Sequence, residues 1–449
     1  MAGIRGVLRR RSRGAFVLWI AIYTVLAVLP LPLGMISLDP GRGFWINLSV
    51  ALGFVGLAMF GLQFVMAARS FLVVHPVGMD VVLEFHKQMA YLATLLVFAH
   101  PIILFVVDTS LLGLLDVVTS PLRAKFAVGS VILLIVLIVM SVFRRRLRIR
   151  YETWQATHAV LAVAVVVTAL LHVLLVGYYV REWWEQTLWI AYSAAFIALG
   201  VWVRLVKPLV RRHRKWVVES IEDDVGSVTT VTLRLLDPTS YAPHRFHFDP
   251  GQFAWLQARR SPFSLSYHPF SISSSALHPH RIRFSIKAHD GFSREIGDLV
   301  PGDTVYVDGP FGAFVLPDTG PVVFVGAGVG VTPLLGMLET LADRGDDREC
   351  VLWLGNRSET EIPCLEQIEA LQARMDLRVV HVLSKGSAGW TGERGHVDAA
   401  LVARLLPDTP PGSSFCICGP DAMMDQVEAA LAAGGVRRDA IHSERFGMV

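Results

Sequence analysis

The chain has 449 residues, of which 53% are hydrophobic and 18% are charged. A soluble globular protein contains ~45–50% apolar and ~25% charged residues, so this composition excludes a disordered chain and a wholly soluble one. The formal net charge of +3 is too small to indicate a nucleic acid as a partner.

Apolar runs dominate the N-terminal part of the chain, after a basic tail at residues 1–15. A membrane-spanning helix needs about 20 apolar residues. The first run is too long for a signal peptide and lacks a small-residue cleavage site, so we interpret it as an uncleaved anchor. We predict six spans within residues 16–206: Phe16–Ile36, Phe44–Ala68, Val81–Val107, Phe126–Phe143, Trp154–Val176 and Leu188–Val206.

Basic clusters predict the orientation of these spans. Arginine and lysine concentrate in the N-terminal tail, between the fourth and fifth spans, and after the sixth span. With six spans all three clusters fall on one side of the membrane, which the positive-inside rule assigns to the cytoplasm. The more polar residues 213–449 follow the sixth span, so we expect them in the cytosol.

Four histidines lie on predicted spans, His86 and His100 on the third and His158 and His172 on the fifth. Each pair is 14 residues apart, which places both rings on one helix face, roughly 21 Å apart along the axis. Because the two spans run in the same direction, His86 is level with His158 and His100 with His172. Neutral imidazole is a ligand of haem iron, so the pattern predicts two bis-histidine haem sites. Unrelated interhelical hydrogen bonds and a proton relay are the alternatives.

From Trp216 onward the hydrophobic period changes to two. Six short strands with turn signals between them predict a small antiparallel barrel that ends near Asp318. Beyond it, buried strands alternate with helical stretches, which predicts a parallel doubly wound sheet. The four cysteines of the chain form no C-x-x-C pair, which excludes a disulfide framework and gives no spacing for an iron–sulfur site.

A glycine-rich turn lies between the first strand of this second sheet and its helix. Glycine lets the backbone approach a pyrophosphate, and the helix N-terminus supplies N–H donors. A plain tight turn is the alternative, but the position between strand and helix favours nucleotide binding. The residues concerned are Gly326, Gly328, Gly330, Val331, Thr332 and Pro333.

Together, the paired histidines, the glycine turn and the motifs described below resemble the superfamily of ferric reductases and NADPH oxidases, in particular its single-chain bacterial flavocytochromes b. The resemblance implies a multi-domain membrane protein. A six-helix transmembrane haem bundle (residues 16–206) precedes an FAD-binding barrel of the ferredoxin-reductase type (213–318) and a Rossmann-like NAD(P)-binding domain (319–449). It also implies FAD, two haem b groups and NADPH as cofactors, and the plasma membrane as the location.

The stretch His268-Pro269-Phe270-Ser271 resembles the flavin motif of this family. The resemblance implies that Phe270 packs on the isoalloxazine, that Ser271 approaches its N5 atom, and that His268 meets the FAD phosphates. Ser274 falls where the last hydroxyl of the motif contacts phosphate. Read alone, the motif favours a flavin site, and a barrel strand with a proline at its edge is the alternative.

Other segments are expected to contact phosphate groups. Gly291 and Ser293 open a predicted helix whose N-terminus can bind the FAD pyrophosphate. Arg357 follows the second strand of the parallel sheet, and Ser384 and Lys385 end the third. An arginine there suits a 2′-phosphate, whereas an acid would hold a ribose hydroxyl, so we expect NADPH, with NADH as the alternative.

Two C-terminal segments resemble parts of the family that act at the nicotinamide. Cys418-Gly419-Pro420 resembles the turn that sets the nicotinamide over the flavin, and Cys418 as a small apolar core residue is the alternative. Phe446 resembles the terminal aromatic that covers the flavin, although three residues follow it here, and a plain surface or core residue is the alternative. With these segments, the expected catalytic residues are Phe270, Ser271, Cys418 and Phe446.

The implied activity is electron transfer from cytosolic NADPH through FAD and two haems to a small-molecule acceptor across the lipid bilayer. That acceptor is O₂, giving superoxide, or a ferric chelate, and the sequence does not separate the two. Bis-histidine ligation leaves no open iron position, so the acceptor is expected to react at the haem edge. The alternatives are a redox module for a protein or quinone partner and a haem-free transporter or sensor with a nucleotide-binding tail. Nothing in the sequence indicates the oligomeric state.

Overall fold

The computed structural model describes residues 10–35, 42–68, 79–211, 215–236, 246–258, 267–287 and 296–445. The chain divides into two compact units. One unit contains Arg13–Val74 and Val81–Lys207, and the other contains Pro208–Val449 together with Met1–Ser12 and His75–Asp80.

In its described residues, the first unit consists of helices joined by turns and short loops. It contains α1 (Arg10–Val28), α2 (Pro30–Met35), α3 (Phe44–Ala67), α4 (Met79–Val107), α5 (Leu122–Val142), α6 (Tyr151–Val176) and α7 (Trp183–Val201). A π-helical turn over Trp202–Val206 continues α7 into α8 (Lys207–Arg211), which is assigned to the boundary between the units. Among the described residues, five helices are long and apolar enough to cross a membrane; they begin near residues 44, 81, 122, 151 and 183.

The first predicted span differs from the other five. Its apolar helical stretch, Val17–Leu33, is shorter than a typical span, and the helix is interrupted at Leu29. Pro30 explains the interruption, because proline has no N–H to donate and disfavours helical geometry in the residue before it. The structure therefore gives five helices of membrane-spanning length and one shorter, broken apolar segment.

Helix α3 packs closely on its neighbours through glycine. A Cβ on Gly56 would lie 2.6 Å from Cγ2 of Val97 on α4, and one on Gly61 would lie 2.3 Å from the ring of Phe196 on α7. Small residues allow such close approach between helices in a membrane. Large apolar side chains such as Val106 and Val160, which are 77% and 69% exposed, point outward, as expected of a surface that faces lipid.

The second unit begins with six antiparallel strands. They are β1 (Trp216–Asp224), β2 (Val228–Leu235), β3 (Phe253–Ala258), β4 (His268–Ser271), β5 (Arg281–Lys287) and β6 (Thr304–Phe311), in the order β4-β3-β6-β1-β2-β5. Beyond the end of β4, Ser273 N donates to Arg283 O on β5 at 2.9 Å, which joins the two edges of the sheet. Six strands in a barrel-like arrangement agree with the prediction from the period of two.

The rest of this unit is a six-stranded parallel sheet. Its strands are β7 (Val322–Ala327), β8 (Cys350–Asn356), β9 (Leu377–Leu383), β10 (Glu393–Arg394), β11 (Ser414–Cys418) and β12 (Ile441–Glu444), in the order β10-β9-β8-β7-β11-β12. The helices between them are α9 (Val331–Arg344), α10 (Leu365–Gln372), α11 (Ala399–Leu405) and α12 (Asp421–Ala433). Apolar clusters cover both faces of β7, whose residues are almost all buried, so the predicted doubly wound sheet is confirmed.

The barrel and the parallel sheet meet along α9. Gly336 lies so close to the residue after β4 that a Cβ on it would be 2.4 Å from the carbonyl oxygen of Ile272. Thr340 accepts a hydrogen bond from Ala276 N at 3.0 Å, and Glu339 pairs with Arg283 at 2.8 Å. These contacts place the strand that carries the flavin motif beside the helix that follows the glycine turn.

Candidate functional site

The glycine turn lies at the topological switch point of the parallel sheet. β7 has β8 on one side and β11 on the other, and a crevice opens beyond the carboxyl ends of β7 and β11 in such sheets. Gly330 lies against the turn after β11, since a Cβ on it would be 2.4 Å from the carbonyl oxygen of Cys418. Gly328 has a φ of +51°, in the left-handed region. The structure thus brings together the two turns that the sequence assigned to the coenzyme.

Ser271 carries the clearest structural signal for a bound flavin. It ends β4 opposite Phe253, and its Oγ atom is buried with no hydrogen-bond partner in the described part of the chain. A buried hydroxyl without a partner costs about 1–3 kcal/mol, so a missing partner is expected. The motif residues before it, His268, Pro269 and Phe270, are half-buried on this edge strand. A flavin along β4 would supply the partner that Ser271 lacks.

Ser274 has a role within the fold itself. Its Oγ atom accepts a hydrogen bond from Arg283 N at 3.0 Å. The hydroxyl still has a proton to donate, so this contact is compatible with the expected phosphate contact. The predicted contacts at Gly291, Ser293 and Phe446 lie outside the described residues.

Cys418 and Glu444 form a buried pair at the ends of β11 and β12. The two residues are direct partners in the parallel register, and both are buried. Burial, with the nearby Glu444 carboxylate, raises the pKa of the Cys418 thiol well above its usual value. The Glu444 carboxylate also lies 3.0 Å from where a Cβ on Gly312 would be. Sequence reasoning missed Glu444, and an acid at the end of the last strand was the only available signal.

The predicted 2′-phosphate residues are brought together by backbone hydrogen bonds. Ser384 N donates to Asn356 O at 3.1 Å, and Lys385 N donates to Arg357 O at 2.7 Å. Arg357 is exposed, whereas the first acid after β8, Glu359, accepts hydrogen bonds from the backbone and hydroxyl of Ser387 at 3.0 and 2.7 Å. The acid is therefore engaged within the protein, and the arginine is open to a ligand.

In the helical unit, His100 and His172 face each other. Their ring centroids are 6.5 Å apart. The Nδ1 atom of His100 lies 3.0 Å from the carbonyl oxygen of Ser49, and that of His172 lies 2.9 Å from the carbonyl oxygen of Arg123. A carbonyl can only accept, so both rings carry their proton on Nδ1. The facing His100 and His172 rings would therefore hold one haem iron between them.

His158 is held in the same tautomer by a serine. Its Nδ1 atom lies 3.1 Å from Ser141 Oγ, and Ser141 donates its only proton to the carbonyl oxygen of Leu137 at 2.7 Å. Ser141 must therefore accept from His158 Nδ1–H. The indole of Trp154 also donates to Ser141 at 3.3 Å and packs against His158 with centroids 5.2 Å apart.

The three rings are thus prepared for haem iron. An imidazole binds a metal through the nitrogen that carries no proton, and a hydrogen bond at the other nitrogen fixes that choice. With Nδ1–H donating in each ring, the Nε2 lone pair is available, and no residue that the structure describes forms a hydrogen bond with it. His86, the fourth histidine, contacts Gln63. His100, His158 and His172 therefore present the donor nitrogens that the implied haem groups require.

Models of three domain families match the chain. They are the ferric reductase-like transmembrane component over residues 52–169, an FAD-binding domain over residues 227–314, and the oxidoreductase NAD-binding domain over residues 324–429. The chain has the architecture of ferric reductase/NADPH oxidase-like flavocytochromes. The resemblance seen in the sequence is thereby confirmed. A multi-pass helical membrane domain precedes an NAD(P)H-dependent, flavin-based oxidoreductase module of the ferredoxin-reductase type.

Curated relatives match about half of the chain. The reductase subunit of stachydrine N-demethylase from Rhizobium meliloti is 30% identical over 209 residues, which are 45% of this chain and 59% of the relative. The reductase component of propane 2-monooxygenase from Mycolicibacterium smegmatis is 26% identical over 238 residues, 51% of this chain and 66% of the relative. The chain thus spans less than two thirds of each of these relatives. Among solved structures, a ferredoxin reductase of carbazole 1,9a-dioxygenase is 23% identical with a TM-score of 0.45, covering 52% of this chain and 69% of that one.

Proposed function

We propose that the protein transfers electrons from cytosolic NADPH through FAD and two b-type haems to a small acceptor across the membrane, either O₂, giving superoxide, or a ferric chelate. When bound, FAD accepts a hydride and releases single electrons, and each haem carries one electron at a time. The observation that carries the proposal is the pair of facing rings, His100 and His172, each held with Nδ1–H donating to a backbone carbonyl.

The finer architecture belongs to the same proposal. Residues 16–206 form a six-helix haem bundle in which the broken segment α1–α2 is the first span. Residues 213–318 bind FAD, and residues 319–449 bind the coenzyme. The basic clusters orient the bundle so that the N-terminus and both nucleotide-binding domains are cytoplasmic, in the plasma membrane.

In the flavin- and coenzyme-binding domains, the position of each residue indicates the group that it binds. Ser271 donates its unpartnered hydroxyl to the flavin, and Phe270 packs on the ring system. Gly330 and Gly419 let the glycine turn and the turn at Cys418 pack closely, because a side chain on Gly330 would meet Cys418 and one on Gly419 would meet Met423. Together the two turns bind the coenzyme. Arg357 and Lys385 bind the 2′-phosphate, which favours NADPH over NADH.

The decisive experiment is a spectrum of the purified membrane protein. We expect bound FAD, two haems per chain and a reduced-minus-oxidised spectrum of the bis-histidine type. His100→Leu should remove one haem, and NADPH oxidation with O₂ or a ferric chelate should fall with it. His247→Leu is the matched control, because His247 is exposed in the second unit. Wild-type protein without a Soret band would refute the proposal and favour a haem-free transporter or sensor.

The relatives favour a second candidate function. By name, one is the reductase subunit of a demethylase and another is the reductase component of a monooxygenase, which favours electron delivery to a partner, here a protein or a quinone. In that case purified protein would retain its haems but would oxidise NADPH only slowly until the partner is added. Rapid NADPH oxidation with O₂ or a ferric chelate alone would exclude this candidate.

A further inference from the structure

Gln63 contacts Nδ1 of His86 through its carboxamide, which can act as a donor or as an acceptor. It lies on α3 and is 8% exposed. One terminal atom of its carboxamide lies 2.7 Å from Nδ1 of His86 and 3.3 Å from the carbonyl oxygen of His86. The other terminal atom lies 3.1 Å from the backbone nitrogen of Ala90. Because an amide nitrogen and an amide oxygen have almost the same shape, two orientations fit this space.

The two orientations leave different nitrogens of His86 available. With the NH₂ group toward the ring, Gln63 donates to Nδ1 and to the His86 carbonyl, and its oxygen accepts from Ala90 N–H. All three contacts are then satisfied, but the ring must carry its proton on Nε2. With the oxygen toward the ring, Nδ1–H donates to Gln63 and the Nε2 lone pair is free. That orientation sets the amide oxygen against a carbonyl and the NH₂ group against an N–H.

The contacts of the protein alone therefore favour a tautomer of His86 that cannot bind iron through Nε2. The other three histidines differ, because Nδ1 faces the carbonyl of Ser49, the carbonyl of Arg123, or a serine hydroxyl whose proton is already donated. A carbonyl cannot reverse its polarity, whereas a carboxamide can do so by rotating half a turn. The partner of His86 Nδ1 is thus a carboxamide, which can present either a donor or an acceptor to the ring.

We propose that Gln63 is the positioning residue of the His86 haem site and that its carboxamide reverses when iron binds there. The proton leaves Nε2 and is taken up at Nδ1, so the ring stays neutral and the iron gains the Nε2 lone pair. Gln63 then accepts from Nδ1–H, which makes the ring a stronger electron donor to the iron. This inference rests on the proposed haem function. It adds that the two haem sites differ in the group that contacts Nδ1 of a ligand histidine, a reversible carboxamide at His86 and backbone carbonyls at His100 and His172.

The reduction potentials of the two haems in the purified, haem-loaded protein test this inference. Gln63→Met removes the acceptor with little change in size, and we expect one haem to become about tenfold easier to reduce, ~59 mV for a one-electron couple. Gln63→Glu offers a stronger acceptor and should shift the same haem in the opposite direction. The haem that His100→Leu does not remove identifies the affected layer.

Ser130→Ala is the matched control. It deletes a buried hydroxyl on α5 that lies 3.5 Å from the carbonyl oxygen of Val165 and forms no hydrogen bond with the four histidines in the described part of the chain. We expect the equilibrium constant for the reduction of either haem to change by less than threefold in this variant.

The outcomes separate this inference from the proposed function. Shifts of opposite sign confined to the His86 layer, or loss of that haem alone, support it. Four results for the reduction potentials would overturn it: equal shifts at both haems, shifts of the same sign in both variants, no shift, or loss of both haems from the variants. The proposed function would still stand in these cases if the wild type binds two haems. Wild-type protein without haem would instead refute the function on which the inference rests.

Discussion

At the scale of single residues, the soluble site combines one polar group that lacks a partner with one position that admits no side chain. Ser271 carries a buried hydroxyl without a partner, and Gly330 touches the turn after β11. The hydroxyl of Ser271 costs stability in the protein alone and is satisfied when a ligand accepts from it, whereas the close contact at Gly330 leaves no room for a Cβ. Substitutions at these positions should therefore separate folding from binding.

Ser271→Ala should lower the rate of flavin reduction at least tenfold without destabilising the protein. Removing a buried hydroxyl that has no partner relieves a desolvation cost of about 1–3 kcal/mol, so the flavin-free protein should be equally stable or more stable. Ser273→Ala is the control, because Ser273 is also buried but has a hydroxyl partner, Ser285, at 3.3 Å. Stopped-flow reduction by NADPH and thermal unfolding measure the two effects. A loss of stability in Ser271→Ala equal to that in the control would contradict the assignment.

Gly330→Ala should weaken coenzyme binding. The added Cβ would lie 2.4 Å from the carbonyl oxygen of Cys418, so one of the two turns must move away. We expect the KM for NADPH to rise about tenfold, consistent with the usual cost of a small shift in a close-packed site, while FAD content is kept. In Gly389→Ala the same methyl group meets nothing within 4 Å, so its KM should stay unchanged. Equal KM values for the two variants would show that the turn does not contact the coenzyme.

At the scale of elements, periodicity predicted the strands and helices, because burial of one or both faces imposes a local pattern on the sequence. The broken first span was not predicted, since apolar composition hides the effect of Pro30 on the helix. Ser49, the hydrogen-bond partner of His100, lies 51 residues away in the sequence. No local sequence pattern predicts such a contact, because it forms only when the helices pack together. The matched spacing of the histidines was visible because both members of each pair lie on one helix.

One element-level contact joins the barrel to the parallel sheet. Arg348, which precedes β8, donates to the carbonyl oxygens of Pro317 and Asp318 at 2.9 and 3.0 Å, and pairs with Asp346 at 2.7 Å. These carbonyls lie at the predicted boundary between the two domains. The side chains of Arg348 and Asp346 are only 12% and 19% exposed, so the contact is poorly accessible to water.

Arg348→Met should destabilise the second unit by about 1 kcal/mol, because it removes the donor to the partly buried Pro317 carbonyl and the partner of the Asp346 carboxylate. The hydrogen bond from Arg348 lowers the pKa of Asp346 below its usual value of 3.8. A lowered pKa contributes stability above pH 4, and that stability is lost as the pH falls through the folded pKa. The wild type should therefore lose more stability than the variant on acidification below pH 4.

The control for this prediction is Arg437→Met. Arg437 pairs with Asp439, which is two residues away in the sequence, as Asp346 is from Arg348. The side chain of Arg437, however, is 80% exposed. Exposed ion pairs contribute little to stability, so its unfolding midpoint should match the wild type. Equal midpoints for Arg348→Met and Arg437→Met in chemical denaturation would show that the contact does not hold the two domains together.

At the scale of the whole molecule, all four thiols are buried in the second unit, in the strands or beside the helices of the parallel sheet. Burial raises the pKa of Cys350 and of Cys364 to about 12. The thiolate is the reactive form, so the folded protein should hold these groups as inert thiols at neutral pH. Chemical labelling of the cysteines should then report the global unfolding of this unit.

We expect no thiol to react with a small disulfide reagent at pH 8 in the native protein, and four to react in denaturant. The same pKa shifts predict alkaline destabilisation. A thiol whose pKa rises on folding contributes its full stability when the pH is below about 9, the thiol pKa in the unfolded chain. That contribution is lost as the pH rises toward 12, the pKa in the folded protein. The free energy of unfolding should therefore fall steadily above pH 9, and a Cys350→Ala, Cys364→Ala double variant should show a shallower fall. Rapid labelling of native protein at pH 8, or an unchanged slope in the double variant, would mean that these thiols are exposed by local opening of the sheet.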